Sequence, residues 1–543
     1  MWPFAAYPEV TAAQVDRKTY DYVIVGGGTA GCVLASRLSE DPNVSVLVLE
    51  KGYVKDNFVS RVPLISQNFW MGHPLQVQST RYSEPLRNVN GRKNHIVTAE
   101  AIGGATRINA MLWTRGVPGG YEEWATTLGL DEWAWEKVEP CFRKLENALC
   151  HPDSPERGHN DSSPFNTRPG ASSGQHMWTD PRESWDCPWA EIILLLSGIG
   201  PQSQLDALEI PVKKHLPVGA SLQDHFSAAI MLELPKSETL TGSLLETIYG
   251  AWHFLLFILF GKGLMGASST PKTAFVCTGA LDEKTMMVNN FEDFADASKP
   301  ANIPDTEIMV HPVNSLGRPV PGHSLLTFYT TLVQPKSVGR VELVNRDPLT
   351  NPRIHHPMFD DPQDMITFRK GIRFSMRMAE EFLKSGYPHH ASIAFAPGVN
   401  PELLDSWEKD APNSDLPAAP PPAPGLTFSQ GAGDMSVKEA QSPVDNKTWK
   451  TVSDDEIDDY VRRVSMGSLH SSCTCPMSRD ETSGVVDQHL RVHGFKNLRI
   501  ADASVFPKIP SGHTMAPTMM VAERCASFII NQWSDKDAAR GDS

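Results

Sequence analysis

The chain has 543 residues, more than a single hydrophobic core serves, so two or more domains are expected. With 40% hydrophobic and 21% charged residues it has the composition of a soluble globular protein, and its formal net charge of −15 argues against nucleic acid and anionic membrane surfaces as partners. The opening MWPFAAYPEVTAAQVDRKTYDY has neither a basic start nor a long apolar run. The longest apolar stretch, Phe254–Phe260, is far too short to span a bilayer, so a cytoplasmic protein without stable membrane insertion is expected. Eight scattered cysteines read as mostly reduced thiols.

The first informative stretch is Tyr20–Gly52. Tyr22–Val25 is a short β-branched apolar run and reads as a buried strand. Gly26, Gly28 and Gly31 follow as G-x-G-x-x-G, Cys32–Leu38 has helical apolar spacing, and Val44–Leu49 is a second buried strand ending at Glu50. Gly26 permits the tight turn, Gly28 lets backbone approach a pyrophosphate, and Gly31 lets helix and strand pack closely. The helix start offers N–H groups and a positive dipole end to phosphates, and Glu50 can accept from ribose hydroxyls. The pattern points to an adenine dinucleotide and does not separate FAD from NAD. Ala99–Gly116, AEAIGGATRINAMLWTRG, then has a flexible Gly103-Gly104 turn, with Asn109, Ala110, Met111 and Leu112 in a segment suited to lie beside a planar ligand. Tyr121–Glu146 has helical spacing, with Trp124, Trp133 and Trp135 as packing anchors.

These stretches together resemble the glucose–methanol–choline (GMC) oxidoreductase family, whose first signature has a Gly-Gly turn followed by Ile-Asn. The resemblance implies an α/β fold, with an FAD-binding Rossmann-like domain and a second, substrate-binding domain built on an antiparallel sheet plus helices. Residues 151–188 are polar and without periodicity and read as a loop. AEIILLLSGIG (190–200) resembles only the second half of the family's second signature, with Ala190-Glu191 where Ser-Pro is usual. The long segment normally lying between the two signatures is missing by this comparison. Leu222-Gln223-Asp224-His225 is a family landmark that reads as a structural turn. VQPKSVGRVELVNRDPLTNPRIHH alternates with period two and fits the antiparallel sheet, Ile366–Phe382 is an amphipathic helix, and Tyr249–Phe260 reads as core. The Pro-rich stretch near 409–446 is a solvated insertion, after which Ser453 is a plausible N-cap. The expected domains are 19–150, 189–230 and 466–535 for the FAD half and 231–465 for the substrate half.

The C-terminal block carries the chemistry. SLHSSCTCPM, SGVVDQHLRVHG and LRIADASVFPKIPSGHTMAPTMMVAE resemble the family in order and spacing. His470 then matches the position of the family's catalytic histidine and His513 the second position, His or Asn among relatives. Alcohol oxidation needs a base working near neutral pH and a hydride acceptor, which the flavin supplies. Leu498–Ala501 reads as a strand leading to Asp502-Ala503, and Pro517 suits the first turn of a helix that begins just after His513, Thr514 and Met515. The expected cofactor contacts are Gly26, Gly28, Thr29, Ala30, Gly31, Glu50, Lys51, Gly103, Gly104, Asn109, Ala110, Met111, Leu112, Asp502, Ala503, Thr514 and Met515. Cys473 stands where the family usually has Gly. His470, Cys473, Cys475, His489 and His493 match neither C-x-x-C nor H-E-x-x-H spacing, and no metal is expected.

The reading is an FAD enzyme oxidising an alcohol group of a small, apolar molecule, with oxygen or another electron acceptor, resembling intracellular fungal members that act in secondary metabolism. The alternative is a shortened, weakly active or non-catalytic relative; an NAD dehydrogenase gives no role to the Gly103-Gly104 and His470/His513 blocks. Some relatives attach flavin through a His just before the signature Asn, where this chain has Ile108. Acid precipitation is therefore expected to release all the flavin, and flavin retained on the pelleted chain would show covalent attachment instead.

Overall fold

The computed structural model describes residues 9–52, 62, 64, 78–147, 176–178, 190–240, 248–266, 272–289, 291–315, 320, 322–409 and 447–541. The insertion expected near 409–446 lies almost wholly outside them. Glu9–Val10 (β1), Tyr22–Val25 (β2), Val46–Leu49 (β3) and His176–Trp178 (β4) form a parallel sheet in the order β1-β4-β3-β2. Parallel neighbours need a crossover, and Thr29–Leu38 (α1) supplies it between β2 and β3. Val33, Ala35 and Leu38 of α1 enter a core shared with the C-terminal helix, Met515–Gly541, through Met519, Met520, Ala522 and Ala526. Arg37 of α1 pairs with the buried Glu523 at 3.0 Å.

Two expectations are corrected here. The stretch 151–188 holds the three-residue strand β4, which the edge of β3 recruits. The strand β2 is not buried, since Val23 and Val25 are 54% and 61% exposed. In a doubly wound dinucleotide fold the first strand lies in the middle of the order 3-2-1-4-5-6. Here β4-β3-β2 is the 3-2-1 half, and among the described residues no strand pairs with the outer edge of β2.

The second sheet is antiparallel. Phe226–Glu233 (β5), Lys272–Val276 (β6), Thr306–His311 (β7) and Leu325–Leu332 (β8) run in the order β6-β7-β8-β5. A hairpin of Arg340–Glu342 (β9) and Arg353–His355 (β10) forms its own two-stranded ladder outside this sheet, against the expectation from its alternation. Its Val341 and Ile354 are drawn into the first core instead. Ser392–Phe395 (β11) and Met466–Gly467 (β12) complete the large sheet on β5. Helix Pro362–Lys384 packs Phe368, Ile372 and Met376 on it. That helix begins where Asp361 accepts a hydrogen bond from Gln363 N (2.8 Å) and Pro362 fills the first helical position. Ser453 and Glu456 form the capping box of helix Asp454–Val464.

Tyr121–Glu146 is broken into short helical turns before Trp135–Leu145, with Trp124 and Trp133 buried. Helix Ile248–Phe260 is only half core, because Trp252, Leu255, Ile258, Leu259 and Phe260 form an exposed outer stripe. Leu498–Ala501 makes one isolated bridge, Arg491 with Arg499, and no strand. Among the described residues no helix is long and apolar enough to cross a membrane.

Arg369 forks onto the buried Asp458 at 2.5 and 2.6 Å, joining the helix on the sheet to the capped helix. Replacing Arg369 by Ala leaves Asp458 with Arg462 at 3.4 Å and is expected to cost about 2 kcal/mol. Val25→Thr on the exposed face should cost no more than about 0.5 kcal/mol. Urea unfolding midpoints of the two variants check the contrast.

Candidate active site

The glycine turn after β2 is a backbone cradle. Gly26 has φ +95°, and a Cβ on Gly31 would lie 1.9 Å from the Gly26 carbonyl oxygen. Gly28 caps α1 with no side chain of its own, so the first-turn N–H groups at Thr29 and Ala30 face an opening that no capping side chain fills. The second turn presses on the first: Gly103 N donates to Gly27 O (2.8 Å), and a Cβ on Gly104 would come within 2.8 Å of Gly28 Cα. The buried Glu50 braces the turn, one oxygen accepting from Gly27 N and the other from Gly52 N, both at 2.7 Å. Each oxygen keeps a second lone pair for a ribose hydroxyl. Lys51 is paired with Glu100 at 2.8 Å.

The Asn109–Leu112 segment is tied to the start of the C-terminal helix. Asn109 Nδ2 lies 2.9 Å from Met515 Sδ, and its Oδ1 accepts from Met111 N, whose φ is +58°. Ala110 and Leu112 flank it in irregular backbone. Thr114 Oγ1 accepts from His513 N at 2.8 Å. Asp502 caps a 3-10 turn through Ser504 N (2.9 Å), Ala503 O accepts from Cys473 N (3.1 Å), and Thr514 O accepts from Thr518 N (2.9 Å). The cradle has what a dinucleotide needs: backbone without Cβ at the close approach, unfilled helix N–H groups, and a carboxylate set back for a ribose. FAD therefore fits these residues.

The histidines are brought together by one antiparallel pairing. Ser227 pairs with Met466 and Phe226 with Gly467, and Ser468 N donates to His225 O (2.9 Å); Gln223 and Ser472 then exchange bonds of 3.0 and 2.9 Å. Residues 469–471 thus bulge against Asp224 alone, with Leu469 at φ +62°. Asp224 holds the bulge: its fully buried carboxylate accepts from His470 N (2.8 Å), Ser471 Oγ (3.1 Å) and His356 Nε2 (3.2 Å). Cys473, where the resemblance has Gly, adopts φ +69°, a left-handed conformation in which Cβ is crowded.

His470 stands at the tip of the bulge. Its Nε2 is 3.3 Å from His513 Nδ1, and its Nδ1 is 2.9 Å from His225 Nδ1. His513 Nε2 is 3.1 Å from Glu307 Oε1, which also accepts from Thr273 Oγ1 (2.8 Å). Burial, and the positive charge that His225 and His513 carry when protonated, push His470 well below the usual 6.5, against the pull of Asp224 and Glu307. Burial drives His225 down to about 3. Burial pushes Glu307 up, but the His513 hydrogen bond and charge, Thr273 and His470 outweigh it and hold it below the ordinary carboxylate range.

The expected pair, His470 and His513, is therefore together, 43 residues apart in sequence. Sequence reasoning missed Glu307 and took His225 for a plain turn residue. The available signal for Glu307 was an acid inside the apolar strand TEIMVH; His225 had none beyond its place in the landmark.

Two GMC oxidoreductase family models match the chain, at residues 20–171 and 335–522. Among its relatives, a protein described as "Dehydrogenase str4" from Strobilurus tenacellus is 26% identical over 629 residues, covering 94% of each chain. An oxygen-dependent choline dehydrogenase from Vibrio vulnificus is 24% identical, again over 94% of each. The first alignment is longer than this chain, so it opens gaps within it. In fold, an Aspergillus oryzae formate oxidase variant superposes with a TM-score of 0.70 at 20% identity over 96% of this chain and 99% of its own. A fungal aryl-alcohol oxidase gives 0.66 at 19%, over 95% and 100%.

Gly31→Ala is expected to abolish flavin retention, because the added methyl meets the Gly26 carbonyl. Glu50→Ala should lower FAD affinity more than it slows turnover of the loaded fraction. The flavin-to-protein absorbance ratio after dialysis checks both, and an unchanged ratio in Glu50→Ala would remove Glu50 from the cofactor site.

Proposed function

The chain belongs to the GMC oxidoreductase family, and we propose that it is an FAD-dependent dehydrogenase or oxidase acting on the CH–OH group of a small, apolar alcohol. In this reading residues 19–150, 189–230 and 466–535 hold the cofactor and 231–465 shape the substrate side. FAD, held non-covalently by the Gly26–Gly31, Gly103-Gly104, Asn109–Leu112 and Asp502-Ala503 segments, supplies the hydride acceptor when bound. The single observation that carries the proposal is the His470–His513 contact at 3.3 Å, partly buried and backed by Glu307.

A hydroxyl entering between the two rings gives its proton to His470 Nε2, while His513 meets the oxygen as it gains alkoxide character. Glu307 Oε1, 3.1 Å from the far nitrogen of His513, holds that ring toward the oxygen. Asp224 keeps His470 in place through the backbone and takes no proton from the substrate. Asp224 has both oxygens engaged, whereas Glu307 is engaged at Oε1 and its buried Oε2 makes no hydrogen bond. The likeness to a Strobilurus protein described as a dehydrogenase supports the redox chemistry, and the resemblance to intracellular fungal members is what supports a tailoring oxidation in secondary metabolism as the setting. The reoxidant is oxygen or another acceptor.

A second reading has its own observation. The outer edge of β2, without a partner strand among the described residues, and the alignment gaps favour a shortened relative that holds flavin weakly. Purified protein separates the two: the first is yellow and bleaches with an alcohol substrate, the second is colourless.

For flavin-loaded protein, His470→Ala is expected to lower the rate of flavin reduction by roughly 10²–10⁴-fold. His513→Asn should be milder than His513→Ala, since an amide still meets the oxygen, and the His470 and His513 losses should not add. Because His470 is held below 6.5, it stays a competent base as pH falls through that value; the acid limb of flavin reduction should lie below pH 6.5. Stopped-flow reduction across pH checks all three, and a His470→Ala variant reducing at the wild-type rate would sink the mechanism.

A further inference from the structure

His225 is fully buried, and its ring stands edge-on to His470, centroids 5.0 Å apart at 84°. The mechanism above gives it no task, yet its Nδ1 is the partner of His470 Nδ1 at 2.9 Å. Two ring nitrogens at that distance share one hydrogen, so the tautomer of one ring dictates that of the other.

The array Glu307–His513–His470–His225 leaves two readings. Where Glu307 accepts from His513 Nε2 and every ring is neutral, His513 Nδ1 is bare. His470 Nε2 then carries the hydrogen, His470 Nδ1 is bare, and His225 donates from Nδ1. In that order His470 has its hydrogen on the nitrogen facing His513, and it cannot take a proton there. In the other order His470 carries its hydrogen on Nδ1 and donates it to His225 Nδ1, and His470 Nε2 is bare. His225 then bears its own hydrogen on Nε2. That nitrogen makes no hydrogen bond of ordinary geometry, but the carbonyls of Val333 and Pro510 lie beside the ring, so a hydrogen there has acceptors to turn to. A substrate hydroxyl entering between His470 and His513 supplies the hydrogen that their contact then lacks.

We propose that His225 is a positioning residue that sets the tautomer of His470: by accepting from His470 Nδ1 it keeps Nε2 bare toward the substrate, and it steadies the imidazolium that forms when Nε2 takes the proton. This rests on the reading of His470 as the base. The hydroxyl O–H bond breaks with its electron pair left on oxygen, the proton goes to His470 Nε2, and no electron passes through His225. The other ionisable groups facing the array are Asp224 with His356, and His311 beside His513 and Glu307.

The test compares His225→Leu, which removes the acceptor, with His225→Asn, whose amide oxygen accepts from His470 Nδ1. In flavin-loaded protein His225→Leu is expected to slow flavin reduction at least about 10²-fold, since a base in the wrong tautomer loses up to about 10⁴. Its acid limb should move, and His225→Asn should recover most of the rate. Adding His225→Leu to His470→Ala should cost nothing further, because His225 acts through His470. A slow His470→Ala beside a His225→Leu of wild-type rate and pH profile would overturn this inference and leave the base reading standing. A His470→Ala of wild-type rate would overturn the base reading itself. Should His225→Leu fold poorly, ¹⁵N spectra of histidine-labelled wild-type protein decide: His470 is expected protonated at Nδ1 and bare at Nε2. His470 protonated at Nε2 would overturn the inference.

Discussion

The Asp224 carboxylate is the constraint on which the site depends. A charge with no exposure to water is tolerable only where donors surround it, and Asp224 has His470 N, Ser471 Oγ and His356 Nε2. Those donors come from two segments 114 to 115 positions apart, 356 and 470–471, so the carboxylate folds distant chain onto one point. It also explains the bulge. Three residues are accommodated opposite one because His470 N, left out of the ladder, finds Asp224 Oδ1 instead of Gln223 or His225. Without that acceptor the bulge would expose an unpaired N–H, and His470 would have no reason to project.

Burial then sets the electrostatics of the array. His470, His225 and His311 are all held below the usual imidazole value, with burial the largest cause in each. A cluster of imidazoles this closely packed resists charging because each proton added repels the next. Glu307 is the exception that gives the array a direction, being a carboxylate at one end of a row of imidazoles. Proton placement along the row is decided by its two termini, Glu307 and His225, more than by the pair in the middle.

The local parts of this architecture were legible in the sequence. β2, α1 and β3 were set by Gly26, Gly28 and Gly31 and by apolar runs, and the Ser453 cap by Glu456 three residues on. His470 and His513 were found through the resemblance, not through any local signal. What was not legible is long-range. Glu307 reaches His513 across 206 residues and His225 reaches His470 across 245, and no periodicity encodes such a meeting. Alternation told that 340–355 is extended but not which sheet it joins; the hydrophobic partners of Val341 and Ile354 decided that. The three-residue β4 has no periodic signal at all and exists because β3 offers it an edge. The left-handed backbone at Cys473 shows the position's demand for glycine only once φ is seen.

The exposure of Val23 and Val25 bears on how cofactor holding and catalysis are arranged. A β-branched pair on an edge strand is what a complete doubly wound sheet covers, and an open edge invites pairing with other chains. The phosphate cradle, however, does not draw on that edge: it is made of the two glycine turns, the start of α1 and Glu50, all on the side of β2 that β3 completes. The histidine array spans both bodies: His225 leads into β5 and Glu307 lies in β7, while His470 and His513 come from the C-terminal block, whose Cys473, Ile509 and Ala516 belong to the core of the parallel sheet. Flavin affinity and proton chemistry share the C-terminal block in this chain: Asn109 touches Met515, Thr114 holds His513 N, and Cys473 N, three residues past His470, donates to Ala503 O.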